Sequence, residues 1–179
     1  MSANTPCFVL VHGSWHGGWC WSRVRPLLSA AAHVSHAVTL TGVGERRHLL
    51  SAAVDLNTHV QDVLGLIEAE ELSDIVLVGH SYGGLVITGV VGALQAQGRV
   101  GLLRHLVYLD AHTPRHGERW YDLMAPELAQ QRLQEGMSAG GGVFLPAPDA
   151  VVFGLSGDDR DWVNRRQTPQ PLGAFTTPV

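Results

Sequence analysis

Residues 75–84 read Ile-Val-Leu-Val-Gly-His-Ser-Tyr-Gly-Gly, and this stretch decides the fold. Its first four residues are apolar without alternation, which predicts a short strand that is covered on both faces. Residues 82–97 are apolar on most sides and stop at Gly98, as is typical of a buried helix and its C-terminal glycine. The Gly-His-Ser-Tyr-Gly segment therefore predicts a tight turn that leads directly from a strand into a helix.

Similar apolar runs recur on both sides of this stretch. They start at residues 7, 36, 75 and 105, so their starts lie 29, 39 and 30 residues apart. That distance is the length of a strand-helix-strand unit. The segments between them have helical periodicity, with Pro26 interrupting or restarting the first; these segments are residues 19–32, 54–72 and 82–97. We predict an α/β fold with a mostly parallel sheet and flanking helices.

The regular pattern stops after Asp110. Residues 117–166 read as helical pieces, at 120–134 and 150–166, and predict a partial lid over one face of the sheet. Residues 167–179 contain three prolines and show no clear element. We expect three parts: residues 1–116 as the N-terminal part of the core, 117–166 as a lid or cap insertion, and 167–179 as a tail that leads back to missing last strands.

Composition limits the classes of function. The 179 residues have a net charge of -4, which offers no electrostatic attraction for nucleic acid or an anionic membrane. All 12 basic residues are arginine, so lysine chemistry such as Schiff-base formation is excluded. The first apolar run is too short for a signal peptide or a membrane span, so we expect a cytoplasmic protein. We expect no cofactor and leave a homodimer open.

The turn at residues 79–83 fits the G-x-S-x-G pattern of a nucleophile elbow. Placed between a strand and a helix, it would lift the hydroxyl of Ser81 above the C-terminal edge of the sheet. The loop that follows the first strand would supply one oxyanion-hole N–H, and the residue after the nucleophile would supply the other. These two backbone donors would be Ser14 and Tyr82.

Other interpretations of these loops are weaker. His12 and His16 are spaced like a zinc pair, but the glycine between them argues against a helix and no Glu is present, so we expect no metal site. Residues 41–47 begin like a dinucleotide loop, but Arg47 stands at the third glycine. The Tyr82 phenol could line a pocket or act in catalysis. Candidate substrate-pocket residues are His12, Trp120, Phe153 and Trp162, although lid aromatics often only pack.

Three motifs in order resemble the α/β-hydrolase superfamily: residues 8–21, 40–46 and 78–84. More narrowly, they resemble the branch of plant methyl-ketone, methyl-salicylate and methyl-jasmonate esterases, hydroxynitrile lyases and related bacterial esterases. The resemblance covers residues 7–115 well and the lid loosely. It implies a Ser-His-Asp triad with Ser81 as the nucleophile.

No residue of this chain matches the Asp-containing strand end or the terminal His loop of the family. We therefore expect a C-terminally truncated chain, with both groups beyond residue 179 and no activity of its own. An internal substitute stays open, because Asp110 follows the fourth strand and is succeeded by His112 and His116.

Within this branch, the resemblance implies a serine hydrolase acting on carboxylic esters. Hydroxynitrile lyases of the fold carry Thr where this chain has Gly13, and a Lys near the catalytic His. Both departures favour an esterase with a small-molecule ester substrate. A lyase on the same fold, or a small-ligand-binding protein without catalysis, remains the alternative.

Overall fold

A computed structural model of the protein describes residues 5–179. Four parallel strands form the central sheet, in the order β2-β1-β3-β4. Their bounds are β1 Cys7–Val11, β2 Ser35–Val38, β3 Ile75–His80 and β4 Leu103–Leu109. The predicted α/β class and parallel sheet are confirmed, with β2 ending two residues earlier than expected.

The order of the strands places the loop after β1 beside the loop after β3. β1 lies between β2 and β3. The chain therefore runs from β1 to its neighbour β2 and then crosses back past β1 to β3, so the direction in which strands are added reverses at β1. Val11, the last residue of β1, is paired with Gly79 near the end of β3. Ligands of open α/β sheets bind at such a reversal, beyond the carboxyl ends of the strands.

Two long helices cover one face of the sheet. α2, Leu56–Ala69, turns Val60, Val63, Leu64 and Ile67 inward. It begins at Asp55, whose carboxylate accepts a hydrogen bond from the Thr58 N–H at 2.9 Å. α3, Gly83–Ala96, buries apolar side chains along most of its length and packs against β3 and α2. Both helices were predicted.

The opposite face carries much less. A 3-10 turn at Gly18–Trp21 and the short α1, Arg25–Ala30, lie against β1 and β2. The predicted helical segment at residues 19–32 is thus two separate elements, and Pro26 marks the restart, because this proline stands in the first turn of α1, where its missing N–H costs nothing. β4 forms an edge of the sheet and leaves Leu106, Val107 and Leu109 exposed.

The region after β4 is built from short elements. Its helices are α4, Pro126–Ser138, and α5, Gly157–Asn164, with 3-10 turns at Trp120–Leu123 and Ala150–Phe153. The expectation of a tail without elements is wrong. β5, Phe144–Leu145, pairs with β6, Gln170–Pro171, and α6, Gly173–Thr176, follows. Two-residue strands and one-turn helices are too short for a periodic pattern, so only their tertiary contacts reveal them.

Gln170 and Phe175 of this C-terminal segment, residues 167–179, are completely buried.

Across residues 5–179, none of the helices has the length and apolar character required to cross a membrane.

Candidate active site

Ser81 stands on a sharp turn at the end of β3. Its φ of +52° lies in the left-handed region, which is unusual for any residue but glycine. The turn also needs glycine at its flanks, because a Cβ at Gly79 would lie 2.5 Å from the Gly83 carbonyl oxygen. At Gly84 it would lie 2.0 Å from the His112 carbonyl oxygen. The strained strand-turn-helix geometry is that of a nucleophile elbow.

Ser81 opens into a cavity of about 500 Å³ above the sheet. The cavity walls come from the β1 loop, the elbow, the end of β4 and the turn before α5. The lining residues are Gly13, Ser14, Trp15, His16, His80, Ser81, Asp110, Val152, Phe153 and Leu155.

The two backbone amides that the sequence predicts as oxyanion-hole donors lie in the β1 loop and directly after Ser81. Ser14 follows β1 and lines the cavity, and Tyr82 is the N-cap of α3. Within residues 5–179, the N–H groups of Ser14 and Tyr82 have no hydrogen-bond acceptor. The next residue in the β1 loop, Trp15, donates its N–H to the Gln170 side chain at 3.0 Å and accepts from the Thr168 N–H at 2.9 Å. The C-terminal segment thus holds the β1 loop in place.

The Tyr82 side chain points away from this cavity. Its hydroxyl donates to His59 Nδ1 at 2.9 Å, and His59 Nε2 donates to the Thr41 carbonyl at 2.9 Å. Both side chains are completely buried, and burial raises the pKa of Tyr82 well above its usual value. This geometry supports neither the pocket-lining nor the catalytic interpretation of the phenol, so only the prediction for the Tyr82 backbone N–H remains.

His12 is also absent from the cavity wall. Its Nδ1 donates to the Gly13 carbonyl at 2.7 Å and its Nε2 accepts from the Leu40 N–H at 3.1 Å. The ring is completely buried, which lowers its pKa to about 3 and keeps it neutral. His12 therefore links the ends of β1 and β2, and the proposed role in the substrate pocket has no support in this geometry.

The three candidate aromatics separate in space. Phe153 lines the cavity and is 43% exposed. Trp120 is buried, with its ring centroid 5.3 Å from that of Tyr82 and 5.2 Å from that of Phe175. Trp162 packs edge-on against Trp19, outside the cavity. In this structure Trp120 and Trp162 pack against other aromatic rings and do not line the cavity. The sequence indicated which residues are aromatic but not where their side chains point.

The internal acid and base do not assemble around Ser81. Asp110 lines the cavity, but His112 Nε2 accepts a hydrogen bond from the Trp120 indole at 3.1 Å. His116 lies in a separate groove between α2 and α3. Within residues 5–179, no histidine is hydrogen-bonded to the Ser81 hydroxyl. This arrangement speaks against Asp110 with His112 or His116 as a triad.

Two histidines that were not predicted as site residues do line the cavity, His16 and His80. Each belongs to a motif that was recognised, one in the β1 loop and one just before the nucleophile. Burial lowers the pKa of both rings, which favours their neutral forms. The sequence could have indicated both residues as part of the site, because His16 lies two residues after Ser14 and His80 directly precedes Ser81.

Comparison with known proteins identifies relatives of the same kind. Residues 8–179 match the Alpha/beta hydrolase family. The chain is 46% identical to the Carbendazim hydrolyzing esterase of Nocardioides sp. (strain SG-4G) over 181 residues, covering 96% of this chain and 72% of that protein. It is 31% identical to Methylesterase 10 of Arabidopsis thaliana, covering 83% of this chain and 54% of the relative's length.

Solved structures extend the comparison to three dimensions. An extracellular alpha/beta-hydrolase from a Paenibacillus species superposes with a TM-score of 0.85 at 22% identity, covering 97% of this chain and 70% of its own. The Arabidopsis methylesterase MES16 superposes with a TM-score of 0.64 at 26% identity, covering 96% and 69%. These esterase relatives confirm the branch that the three motifs resemble. The chain belongs to the alpha/beta hydrolase family.

Proposed function

We propose that this chain carries the nucleophile and the oxyanion hole of a carboxylic ester hydrolase. The observation that carries the proposal is Ser81 at a left-handed elbow, open to the cavity and flanked by two unpaired amides. The Ser81 oxygen attacks the ester carbonyl carbon, and the developing oxyanion accepts hydrogen bonds from the Ser14 and Tyr82 N–H groups. A general base takes the Ser81 hydroxyl proton and returns it to the leaving alkoxide as the intermediate collapses, which releases the alcohol and leaves an acyl-Ser81 ester. The same base then takes a proton from water, whose attack releases the carboxylic acid and restores Ser81.

Residues 5–179 contain no general base in contact with Ser81, so the base and its acid partner must be proposed. The carbendazim-hydrolysing esterase and Methylesterase 10 are longer than this chain, which spans 72% and 54% of their lengths. We propose that a His and an Asp beyond residue 179 complete the triad. The 179-residue chain alone would then have an intact oxyanion hole but no base to activate Ser81.

The strand-one loop supports hydrolysis over cyanohydrin cleavage. A Cβ at Gly13 would lie 3.0 Å from Ser81 Cβ and 3.1 Å from His80 Nδ1. The threonine of the lyases could enter this position only if the nucleophile or His80 shifted. The close approach of these two residues therefore favours glycine at position 13.

We also propose a cytoplasmic location and a small-molecule ester as the partner. Cys7 and Cys20 are both free thiols, which fits a reducing compartment.

Exogenous imidazole offers a direct test on the chain itself. We expect p-nitrophenyl acetate to acetylate Ser81 only when imidazole supplies the missing base, as read by intact-mass and peptide mass spectrometry. The adduct should be absent in Ser81→Ala and retained in Ser22→Ala, an exposed serine that serves as the matched control. Acetylation without imidazole would show an internal base. No adduct under either condition would favour a ligand-binding protein without catalysis.

A further inference from the structure

We infer that His16 selects ligands that carry an N–H or O–H donor on a planar ring, by presenting its Nε2 as a hydrogen-bond acceptor inside the cavity. The inference rests on the proposed function, because it takes the cavity at Ser81 as the substrate site. His16 would be a specificity-determining residue of that site.

The hydrogen bond of the ring fixes its tautomer. His16 Nδ1 lies 2.6 Å from the Ser14 carbonyl oxygen, and a carbonyl oxygen can only accept. The proton of the ring is therefore on Nδ1, and the neutral ring carries a lone pair on Nε2. Burial lowers the pKa of His16, so the neutral form is favoured near pH 7.

The accepting nitrogen is held in a fixed direction. The His16 ring stacks on Trp19 with centroids 5.1 Å apart and an interplanar angle of 27°. Its other aromatic neighbour is Phe153, with centroids 5.7 Å apart, and both His16 and Phe153 line the cavity. No protein group in residues 5–179 donates to Nε2. An acceptor next to an aromatic wall suits a flat ring that bears a donor at its edge.

The same residue supports the oxyanion loop, so a test must separate two roles. The bond from Nδ1 holds the Ser14 carbonyl of the β1 loop. In the proposal, the acceptor at Nε2 serves the ligand. Asparagine places its amide N–H near the position of Nδ1 and lacks a group at Nε2. Glutamine places an amide near Nε2. His16→Asn therefore keeps the first role and removes the second, whereas His16→Gln can restore an acceptor.

The probes are indole and benzofuran, which share shape and differ in the ring N–H. Protein-observed NMR titration would give the ratio of their dissociation constants. We expect the unmodified chain to bind indole about fivefold more tightly, the effect of one hydrogen bond. His16→Asn should bring the ratio close to one, His16→Gln should restore part of it, and His48→Asn, which removes an exposed histidine elsewhere, should leave it unchanged.

Asp110 and the neutral ring of His80 are competing acceptors in the cavity. A preference for indole that survives His16→Asn and disappears in Asp110→Asn would overturn the inference, as would equal binding of both probes to the unmodified chain. The readout is binding and not turnover, so it is independent of the acetylation of Ser81. Failure of acetylation with a retained indole preference would reject the esterase proposal and leave the ligand selectivity of His16 standing.

Discussion

At the scale of single residues, the elbow depends on backbone that approaches too closely for a side chain. Gly84 lies in the first turn of α3, directly under the loop that contains His112. Gly92 lies in the same helix and is exposed, and a methyl group added there would meet no atom within 4 Å. The two positions thus differ in their surroundings while sharing a helix and a residue type.

This pair gives a matched prediction. We expect Gly84→Ala to lower the free energy of unfolding by about 2 kcal/mol or more, because the new methyl overlaps the His112 carbonyl. Gly92→Ala should raise it by about 0.5–1 kcal/mol, because alanine loses less backbone entropy in a helix. Urea unfolding followed by circular dichroism measures both. Equal effects of the two substitutions would contradict the close approach.

The neutral His12 predicts a loss of stability in acid. Its pKa is lowered from 6.5 to about 3 by burial, so the unfolded chain binds a proton more readily than the folded one between these values. The stability is fully present above about pH 6.5 and falls with decreasing pH, by up to about 1.4 kcal/mol per unit from this residue. Urea unfolding between pH 7.5 and 5 should show a shallower dependence for His12→Asn. An unchanged slope would remove His12 as its source.

At the scale of elements, α2 packs against α3, and its residue His59 accepts a hydrogen bond from the Tyr82 hydroxyl. Its N-terminus has a capping box, in which the Asp55 carboxylate accepts from the Thr58 N–H. Asp55 also forms an isolated parallel bridge with Gly173, at the start of α6. One residue therefore joins the start of α2 to the C-terminal segment.

We expect Asp55→Ala to lower the free energy of unfolding by about 1 kcal/mol through loss of the cap. Asp55→Ser keeps an oxygen that can accept from Thr58 and should recover most of the loss. Thermal unfolding by differential scanning calorimetry distinguishes them. Serine as destabilising as alanine would assign the effect to the negative charge rather than to the cap.

At the scale of the whole molecule, β4 is an edge strand of the sheet and exposes apolar side chains to solvent. Leu106 and Val107 are each 39% exposed and Leu109 is 49% exposed. In the part of the chain that the structure describes, no strand pairs with the outer edge of β4. Such an edge can pair with another chain, so we propose that the 179-residue chain by itself self-associates through β4.

We expect Val107→Arg to reduce self-association, because a charge on an edge strand opposes pairing. Val100→Arg is the matched control, since Val100 is 44% exposed in a 3-10 turn outside the sheet. Light scattering coupled to size-exclusion chromatography over a concentration series gives the mass of each variant. Equal self-association of both variants would place the contact elsewhere.

Local pattern was enough for the parallel sheet, the elbow and the family. Residues 75–84 encode strand, turn and helix in consecutive positions, and their apolar runs and glycines act over a few residues. Such signals are readable because a strand or a helix repeats its burial pattern along the chain. The predictions for Ser81 and the Tyr82 amide rest on this local order, and the prediction for the Ser14 amide rests on the loop after the first strand.

Only the tertiary structure decided where side chains point. Phe153 reaches the cavity, whereas Trp120 and His12 are enclosed by residues distant in sequence, and His16 enters the wall through its stack on Trp19. β6 and α6 are equally invisible to periodicity, yet Gln170 reaches back to the amide of Trp15. The physical reason is that direction and burial depend on contacts across the fold, which composition and spacing do not contain.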